Sequence, residues 1–268
     1  MTGYSAIVTT MSGDGLVVDA VSSIISQSLK PGEIIVVVNG SEVCDQLKTL
    51  LCECSHQLVV LGNNFGANYA RNIGAERAIF PILAFMDDDD LWTKEKMSYC
   101  IDSFASCGSA AGVMHAFFSG QAIQKHTKII SLNKESLLTR NEMGGFSSAV
   151  ISRKHFFDVG GLDERLKSCQ DWDLWLRFKE AGYSFSIIQT PLSLHRVRYF
   201  HGISQNSESS YKGLRTFYFK HQKLLDREVL LSLVRARILN SRNVITILKN
   251  LKLLGFKQAI RGLVIALR

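Results

Sequence analysis

The sequence predicts an α/β fold, in which a mostly parallel β-sheet is flanked by helices and followed by a helical, basic C-terminal tail. Two observations indicate this class. Apolar, β-prone runs alternate with helical patterns over residues 4–87, which is the arrangement of repeated β-α-β units. In addition, the run EIIVVVNG at Glu33–Gly40 is apolar on both faces, as expected for a central strand of a parallel sheet.

The first half of the chain is predicted to contain four strands with three helices between them. Apolar residues at helical spacing define the helices, and the Lys30-Pro31-Gly32 turn ends the first of them. The strands are Tyr4–Thr10, Glu33–Gly40, Gln57–Gly62 and Pro81–Asp87. The helices are Leu16–Leu29 and the segments around Glu42–Cys54 and Ala67–Ala78.

The second half is predicted to contain more varied elements. In the segment DWDLWLRFKEAG, Gly182 follows the last helical residue and is placed to cap the helix. The predicted elements are a helix at Lys94–Ala105, a strand at Gly112–Phe118, a loop and strand at Gly144–Ser152, a short helix from Arg153 to the Gly160-Gly161 turn, a helix at Asp171–Gly182 and a strand at Tyr183–Pro191.

Composition narrows the class of protein. Apolar residues make up 46% of the 268 residues, which is ample for a packed core and argues against disorder. The 6 cysteines have the spacing of neither a zinc site nor a small disulfide scaffold, so we expect reduced thiols. The N-terminus lacks the features of a signal peptide, and no window of about 18 residues is apolar and uncharged. We therefore expect a cytoplasmic protein without a membrane-spanning helix.

Basic charge is concentrated at the C-terminus. From Tyr211 onwards the chain has 13 Lys and Arg against 2 Asp and Glu, a net charge of +11 within a total of +7. We therefore predict a main domain at residues 1–210 and a basic helical extension at residues 211–268. Apolar residues at helical spacing predict an amphipathic helix at Asn243–Arg268. Such a helix either lies on an anionic membrane surface or packs on the main domain or a second copy of the chain.

Four consecutive carboxylates, Asp87–Asp90, follow an apolar strand segment. Neighbouring like charges repel by about 1 kcal/mol per close pair even in water, so the run needs an explanation. A bound Mg²⁺ or Mn²⁺ is one, because these ions prefer oxygen ligands and an Asp-x-Asp at a strand end presents alternate side chains to one side. The alternative is a solvated loop in which Asp89 and Asp90 cap the next helix.

Three further segments carry polar residues of candidate function. Asp171 begins a helix, where it acts either as a general base or as a partner of the helix dipole. Asp173 and Arg177 are one helical turn apart, which is the spacing of an ion pair. Arg71 lies on an amphipathic helix, where it either has a function or is simply a surface arginine. One loop is basic and contains His195, Arg196, Arg198 and His201. It is suited to bind a diphosphate or a metal, or else it is simply solvated.

Five segments occur in the order AIVTTMS, EIIVVVNGSE, GANYARNIGAERA, FMDDDDLW and GGLDERLKSCQDWDLWLR. Together they resemble family 2 of the glycosyltransferases, a large inverting group with the GT-A fold, which is a Rossmann-like α/β sheet. The likeness covers about Ser5–Asn206. Each motif alone is weak, whereas five in register are a strong signal.

The resemblance implies a role for each matching residue. Asp171 is expected to be the catalytic base that deprotonates the acceptor hydroxyl. Asp89, with His201, is expected to bind Mn²⁺ or Mg²⁺. Contacts with the nucleotide and its diphosphate are expected from Thr10, Asn39, Arg71, Asp87, Asp88, Arg196 and Arg198.

Three residues depart from the family pattern. Asn39 stands in the base pocket where the family usually has an acidic residue, although an amide also reads a pyrimidine edge. Met11 replaces a common aromatic residue after the first strand. Gln170 replaces the usual Glu before the catalytic Asp171, which removes a neighbouring charge and should leave the pKa of that Asp less raised.

The resemblance implies transfer of a sugar from a nucleoside-diphosphate donor, expected to be a UDP-sugar, to a hydroxyl of a glycan or lipid-linked acceptor. Bacterial surface polysaccharide such as O-antigen or capsule is the expected product. One alternative is a sugar nucleotidyltransferase, but TTMSGDGL lacks the basic residue that the loop after the first strand usually carries in those enzymes. The other is a non-catalytic nucleotide-sugar-binding protein. No nucleic-acid partner is expected, and a homodimer would form through the C-terminal helices.

Overall fold

The structure, a computed structural model, describes residues 3–11, 15–52, 54–107, 110–119, 126–127, 135–138, 141, 143–196, 208–225 and 231. These residues form a nine-stranded sheet with flanking helices, which confirms the predicted α/β class. Within them, no helix has the length and apolar character that crossing a bilayer requires. Arg198, His201 and the predicted amphipathic helix at Asn243–Arg268 lie outside the described residues.

The elements follow the predicted order with small shifts of their ends. The strands are β1 Tyr4–Thr10, β2 Glu33–Val38, β3 His56–Val60, β4 Ile82–Asp87, β5 Asp90–Trp92, β6 Gly112–Ser119, β7 His126–Thr127, β8 Ala149–Ser152 and β9 Phe185–His195. The α-helices are α1 Gly15–Ile25, α2 Asp45–Leu51, α3 Ala67–Arg77, α4 Lys96–Ser106, α5 Arg153–Asp158, α6 Gln170–Glu180 and α7 Glu208–His221. Short 3₁₀ turns occupy Glu135–Leu138 and Phe146–Ser148.

The sheet has the strand order β3-β2-β1-β4-β8-β6-β9-β5, and β7 pairs with β6. The strands from β3 to β4 pair in parallel, whereas β8 is antiparallel to both of its neighbours. Thr10 lies opposite Val38 of β2, and Thr9 lies opposite Asp87 of β4. The carboxyl ends of β1, β2 and β4 therefore meet at one edge, where α/β sheets bind their ligands.

Helices cover both faces of the parallel half. Because side chains alternate along a strand, Ala6 and Val8 of β1 share one core with the apolar faces of α1 and α2. On the other face, Gly74 of α3 lies against Ile7 and Val37, so closely that a Cβ at this glycine would overlap Ile7. The glycine thus allows α3 to approach the sheet and brings its polar residues to the ligand-binding edge.

Strand β5 is absent from the sequence-based prediction because it begins inside the acidic run. Asp88 and Asp89 form a tight turn, after which Asp90 pairs with His195 of β9. Burial of Trp92 favours this strand, since the side chain is only 5% exposed. Helix α4 begins later, at Lys96, so the interpretation of Asp90 as a helix cap is wrong.

The described residues fall into two compact units. The first is drawn from residues 1–137, 141–164 and 171–198 and contains the whole sheet. The second is drawn from residues 138–140, 165–170 and 199–268 and contains α7. The predicted domain boundary between residues 210 and 211 stays a prediction.

Candidate active site

The acidic edge at the end of β4 is built around an ion pair. Asp87 Oδ1 accepts a hydrogen bond of 2.6 Å from Nη2 of Arg71 on α3. Arg71 is 6% exposed, and its guanidinium carbon is 4.3 Å from the centre of the Phe146 ring. The backbone N–H of Asp87 donates to Ser147 Oγ at 3.0 Å. Arg71 is therefore a buried partner of Asp87 and not a surface arginine.

The next two carboxylates lie in the turn between β4 and β5. The hydroxyl of Thr10, at the end of β1, donates to Asp88 Oδ2 at 2.6 Å. This bond ties the turn to the neighbouring strand. Asp88 and Asp89 are both partly exposed, so solvent reaches the side chains at this edge.

Asp90 differs from the other three acids because it is buried, with 6% exposure. Its Oδ1 accepts the backbone N–H of Arg196 at 3.2 Å, and its Oδ2 is 3.8 Å from His195 Nε2. Burial raises the pKa of Asp90 well above its usual value, and the charges of Asp87 and Asp89 raise it further. Burial also lowers the pKa of His195 to about 4, so this imidazole is neutral at pH 7.

Arg196 holds the acidic turn against α1. Its Nε donates to the backbone oxygen of Asp89 at 2.5 Å, and its Nη1 pairs with Asp19 at 3.0 Å. Its Nη2 donates to the backbone oxygen of Leu16 at 3.3 Å. The guanidinium thus binds groups on two elements of the protein, and its predicted contact with a diphosphate stays a prediction.

Asn39 follows β2 and is 3% exposed. Its Oδ1 accepts the backbone N–H of Phe65 at 2.8 Å, and its Nδ2 donates to Asn64 Oδ1 at 3.0 Å and lies 3.8 Å from Met11 Sδ. Its backbone N–H donates to the oxygen of Thr10 at 2.7 Å. Both polar atoms of the amide therefore hold neighbouring loops, and its predicted contact with a nucleobase stays a prediction.

Asp171 lies in the first turn of α6. Its Oδ1 accepts the backbone N–H of Trp172 at 2.8 Å, and its Oδ2 accepts a hydrogen bond from Asn141 Nδ2 at 2.9 Å. Burial raises the pKa of Asp171, backbone N–H groups and the charge of Arg71 oppose the rise, and the charge of Asp87 adds to it. Since the charges of Arg71 and Asp87 both act on this carboxyl, Asp171 lies close to the acidic edge.

Aromatic packing connects α6 with the acidic edge. The ring of Phe146 lies under the guanidinium of Arg71. The same ring is 6.1 Å from the ring of Trp175 on α6. Trp175 Nε1 donates to the backbone oxygen of Gly144 at 3.1 Å. A Cβ added at Gly145 would lie 4.0 Å from Asp171 Oδ2. Gly145 therefore leaves room for about a methyl group beside the carboxylate.

Two asparagines of α3 hold the segment that precedes α6. Asn68 Nδ2 donates to the backbone oxygen of Asp163 at 2.7 Å. Asn72 donates to the oxygen of Leu162 and accepts its N–H, each at 2.9 Å, and also donates to Glu164 Oε1 at 3.0 Å. Helix α3 therefore contacts both the acidic edge and the approach to α6.

A second acid of α6 has a structural partner. Asp173 is fully buried, and its Oδ2 accepts hydrogen bonds from Nε and Nη2 of Arg177 at 3.0 and 2.8 Å. Arg177 Nη1 also donates to the backbone oxygen of Val159 at 2.6 Å. The ion pair predicted from the spacing along the helix is therefore present, and Arg177 connects α6 with the residue that follows α5.

Three residues of the site escaped the sequence analysis: Ser147, Lys96 and Asn141. Lys96 is fully buried, donates to the backbone oxygen of Ser147 at 2.9 Å and lies 3.6 Å from the centre of the Trp92 ring. Burial lowers its pKa to about 7. A lysine one turn from the buried Cys100 of α4 is a signal that could have revealed it. Ser147 and Asn141 contact partners 60 and 30 residues away, so no local pattern marks them.

The described residues could supply some, but not all, of the ligands of a divalent ion. Within them, no group of three or more His, Cys, Asp or Glu side chains forms a complete metal cage. Mg²⁺ usually takes one or two carboxylates, with waters and substrate phosphates completing its shell, and Mn²⁺ favours the same oxygen donors. Asp87 and Asp89, both partly exposed at the end of β4, supply that number of carboxylates.

Two family models match the chain. The model described as "Glycosyl transferase family 2" matches residues 5–159, and the model described as "Glycosyltransferase like family 2" matches residues 121–234. The first range contains the acidic edge and α3, and the second contains Asp171.

Curated relatives match part of their length. An uncharacterized glycosyltransferase of Haemophilus influenzae is 26% identical over 137 residues, which are 48% of this chain and 47% of the relative. The uncharacterized glycosyltransferase YwdF of Bacillus subtilis is 29% identical over 168 residues, 59% of this chain and 61% of the relative. The chain thus spans about half to three fifths of the length of these two proteins.

Solved structures with the same fold include that of residues 1–349 of TarS from S. aureus. In complex with UDP-GlcNAc it has a TM-score of 0.66 at 16% identity, covering 97% of this chain and 79% of that chain. In complex with UDP it has a TM-score of 0.64 at 15% identity, covering 97% and 81%. At these identities the likeness concerns the fold.

Proposed function

The chain belongs to glycosyl transferase family 2, and on that basis we propose that it is a metal-dependent, inverting glycosyltransferase. It moves a sugar from a nucleoside-diphosphate donor to the hydroxyl of an acceptor. One observation carries the proposal: Asp171, a carboxylate whose pKa is raised by burial, lies close to the pair of Arg71 and Asp87 at the end of β4. Glycosyl transfer needs a base and, beside it, a site for the donor, and this arrangement is suited to supply both.

The donor binds at the edge formed by β1, β2 and β4. Thr10 and Asn39 line the base pocket, and Arg71 steadies the nucleotide. Asp87 and Asp88 contact the ribose or the shell of the metal. The parallel register that aligns the ends of these strands supports this placement. Arg196 or Arg198 faces the diphosphate.

In the proposed reaction, Asp89 and His201 would hold a divalent ion, Mn²⁺ or Mg²⁺. When bound, such an ion neutralises the diphosphate and stabilises it as a leaving group. The partial exposure of the acidic turn supports this role, since a carboxylate that is reached by solvent is also reached by a substrate phosphate.

Asp171 accepts the proton of the acceptor hydroxyl. As the hydroxyl oxygen forms a bond to the anomeric carbon, the bond from that carbon to the diphosphate oxygen breaks, and its electron pair leaves with the diphosphate. The proton passes to the Asp171 carboxylate. This single displacement inverts the configuration at the anomeric carbon. The raised pKa supports the role, because a base whose pKa is closer to the working pH takes up a proton more readily.

The finer parts of the proposal concern the donor, the acceptor and the location. We propose UDP as the nucleotide, supported by the structures of TarS, a protein of similar fold, with UDP and with UDP-GlcNAc. The acceptor is a glycan or a lipid-linked glycan of a bacterial surface polysaccharide, such as O-antigen or capsule. The protein acts in the cytoplasm, where the basic residues of 211–268 contact the inner membrane face or a second copy of the chain.

The test is a donor panel with wild-type protein and Asp171→Asn. The full chain is incubated with Mn²⁺ and each nucleotide sugar, and the release of nucleoside diphosphate and the dissociation constant of the donor are measured. We expect turnover of Asp171→Asn to fall about 10²–10⁴-fold, because that is the usual contribution of a general base, while donor affinity stays close to that of the wild type. The matched control is Asp158→Asn, which removes an exposed carboxylate of α5 and should retain turnover.

Four outcomes contradict parts of the proposal. Unchanged turnover in Asp171→Asn removes the base assignment. Equal donor affinity with Mn²⁺ and with a chelator removes the metal. Release of pyrophosphate from a nucleoside triphosphate and a sugar phosphate, without transfer from any nucleotide sugar, identifies a nucleotidyltransferase, and tight donor binding with no turnover identifies a binding protein.

A further inference from the structure

The geometry points to Asn141 as a positioning residue that fixes the orientation of the Asp171 carboxylate and holds it ionised. Asn141 Nδ2 donates to Asp171 Oδ2 at 2.9 Å, across 30 residues of sequence. The catalytic part of this inference rests on the proposed function, in which Asp171 is the base. The contact itself does not depend on that function and can be tested separately.

A backbone group distinguishes the two ends of the Asn141 amide. Its Oδ1 accepts the N–H of Met143 at 3.2 Å, which makes an Asx turn, in which a side chain bonds the backbone two residues ahead. Because a backbone N–H is only a donor, the atom that faces it is the oxygen. The Nδ2 end consequently faces Asp171, and it also lies 3.4 Å from the backbone oxygen of Gly144.

The other oxygen of Asp171 is fixed by its own helix, since Oδ1 accepts the N–H of Trp172 at 2.8 Å. With one donor on each oxygen, rotation of the carboxylate would break two hydrogen bonds, so its plane is set. Gly145 leaves space beside Oδ2, where an added Cβ would be 4.0 Å away. An acceptor hydroxyl entering there meets a carboxylate that is already oriented.

The hydrogen-bond donors and the charges around Asp171 also influence whether its carboxyl is ionised. Burial is the largest influence on Asp171 and disfavours its ionised form, as does the charge of Asp87 on β4. Arg71 on α3 and backbone N–H groups favour the ionised form. A hydrogen bond from Asn141 acts in the same direction. Being neutral, it stabilises the anion less than a second guanidinium would, so the carboxylate stays ionised and is still able to take up a proton.

Two variants separate this role from a purely structural one. Asn141→Ala removes both the Asx turn and the donor. Asn141→Asp retains an oxygen for the Met143 N–H but replaces the donor with a second carboxylate. The matched control is Gln57→Ala, which removes an amide of β3 that donates to Glu33 Oε2 at 2.9 Å and has no contact with Asp171 in the described residues.

Two measurements are made on the full chain. Protein labelled with ¹³C at the aspartate carboxyl carbons is titrated by NMR, and the Asp171 resonance is identified by its loss in Asp171→Asn. In parallel, kcat is followed across pH with the nucleotide sugar that the donor panel turns over fastest. We expect the Asp171 midpoint and the acidic limb of kcat to rise by about one pH unit in Asn141→Ala. Asn141→Asp should shift both further, with kcat at pH 7 reduced at least about tenfold. Gln57→Ala should shift neither.

The outcomes distinguish the inference from the function on which it rests. An Asp171 midpoint that is the same in Asn141→Asp and in wild type overturns the inference, whatever the activity. A midpoint that moves while the acidic limb of kcat does not supports the contact but overturns Asp171 as the base. If no nucleotide sugar is turned over, the proposed function fails, and the NMR titration still decides the inference.

Discussion

The carboxylate at the end of β4 and the carboxylate at the start of α6 are held in opposite ways. Asp87 accepts a hydrogen bond of 2.6 Å from the guanidinium of Arg71. Asp171 accepts its bonds, within the part of the chain that the structure describes, from a backbone N–H and an asparagine amide. A charged donor is roughly twice as strong as a neutral one. The difference teaches that Asp87 is held by a charge of opposite sign, whereas Asp171 is held by neutral donors while burial raises its pKa.

The supports behind the two edges also differ. The acidic edge rests on the turn at Phe146–Ser148, where Ser147 accepts the N–H of Asp87 and the ammonium of the buried Lys96. Helix α6 is connected to Val159 by Arg177, which also pairs with the buried Asp173 of the same helix. Substitutions of Arg71, Asp173 and Lys96 separate what these contacts contribute to stability and binding.

The largest effect is expected from Arg71→Ala. The substitution leaves Asp87 without its charged partner, which should lower the free energy of unfolding by about 3 kcal/mol and weaken UDP binding at least about tenfold. Urea unfolding and calorimetric titration with UDP and Mn²⁺ measure the two effects. Arg153→Ala is the matched control, because Arg153 stacks on Phe157 at 5.0 Å and lies on α5. If both variants behave alike, the contrast between a charged and a neutral support is lost.

Asp173→Ala should come second, with a loss in the free energy of unfolding of up to about 3 kcal/mol, because it leaves the largely buried guanidinium of Arg177 without its carboxylate. Asp171→Asn, two residues earlier, should cost less, since it neutralises a carboxyl whose charged form burial already disfavours. Urea unfolding of both variants checks the order. The reverse order would mean that Asp171 is the structural acid of α6.

Lys96→Met should have the smallest effect, visible as a change in pH dependence. Burial lowers the pKa of Lys96 to about 7 from 10.5, so between these values the unfolded chain binds a proton that the folded chain does not. The stability of the wild type should therefore gain about 1.4 kcal/mol per pH unit from this residue as the pH rises from 7.5 to 8.5. Lys96→Met should lack this gain.

Urea unfolding at the two pH values measures the difference between the proteins, which cancels the other titrating groups that they share. Parallel changes in wild type and Lys96→Met would show that the lysine stays charged in the folded chain as in the unfolded one. In that case the group that donates to the Ser147 backbone oxygen is an ammonium that does not titrate in this range.

Much of the fold follows from local sequence. Apolar periodicity located β1 to β4 and α3 to within a few residues, because each of these elements buries a regular face. Strand β5 was missed, since its pairing with β9 brings Asp90 next to His195, more than 100 residues away. A carboxylate at the start of a buried strand is favourable only with the N–H of Arg196 and the surrounding groups in place.

The candidate site was predicted in its acids and not in its supports. Runs such as FMDDDDLW and QDWDLW stand out in the sequence because charges next to apolar residues are costly. Asn141 and Ser147 are ordinary polar residues in loops, and only the folded chain shows which atoms they contact. Their importance lies in distance and direction, which composition does not encode.

One turn of helix α3 sets the spacing between the end of β4 and the segment before α6. Asn68, Arg71 and Asn72 stand three and four residues apart, so they share a face, and they grip Asp163, Asp87 and Leu162 respectively. Inserting one residue before them would rotate that face by about 100° and would break the contacts with the end of β4 and with the segment before α6 at once.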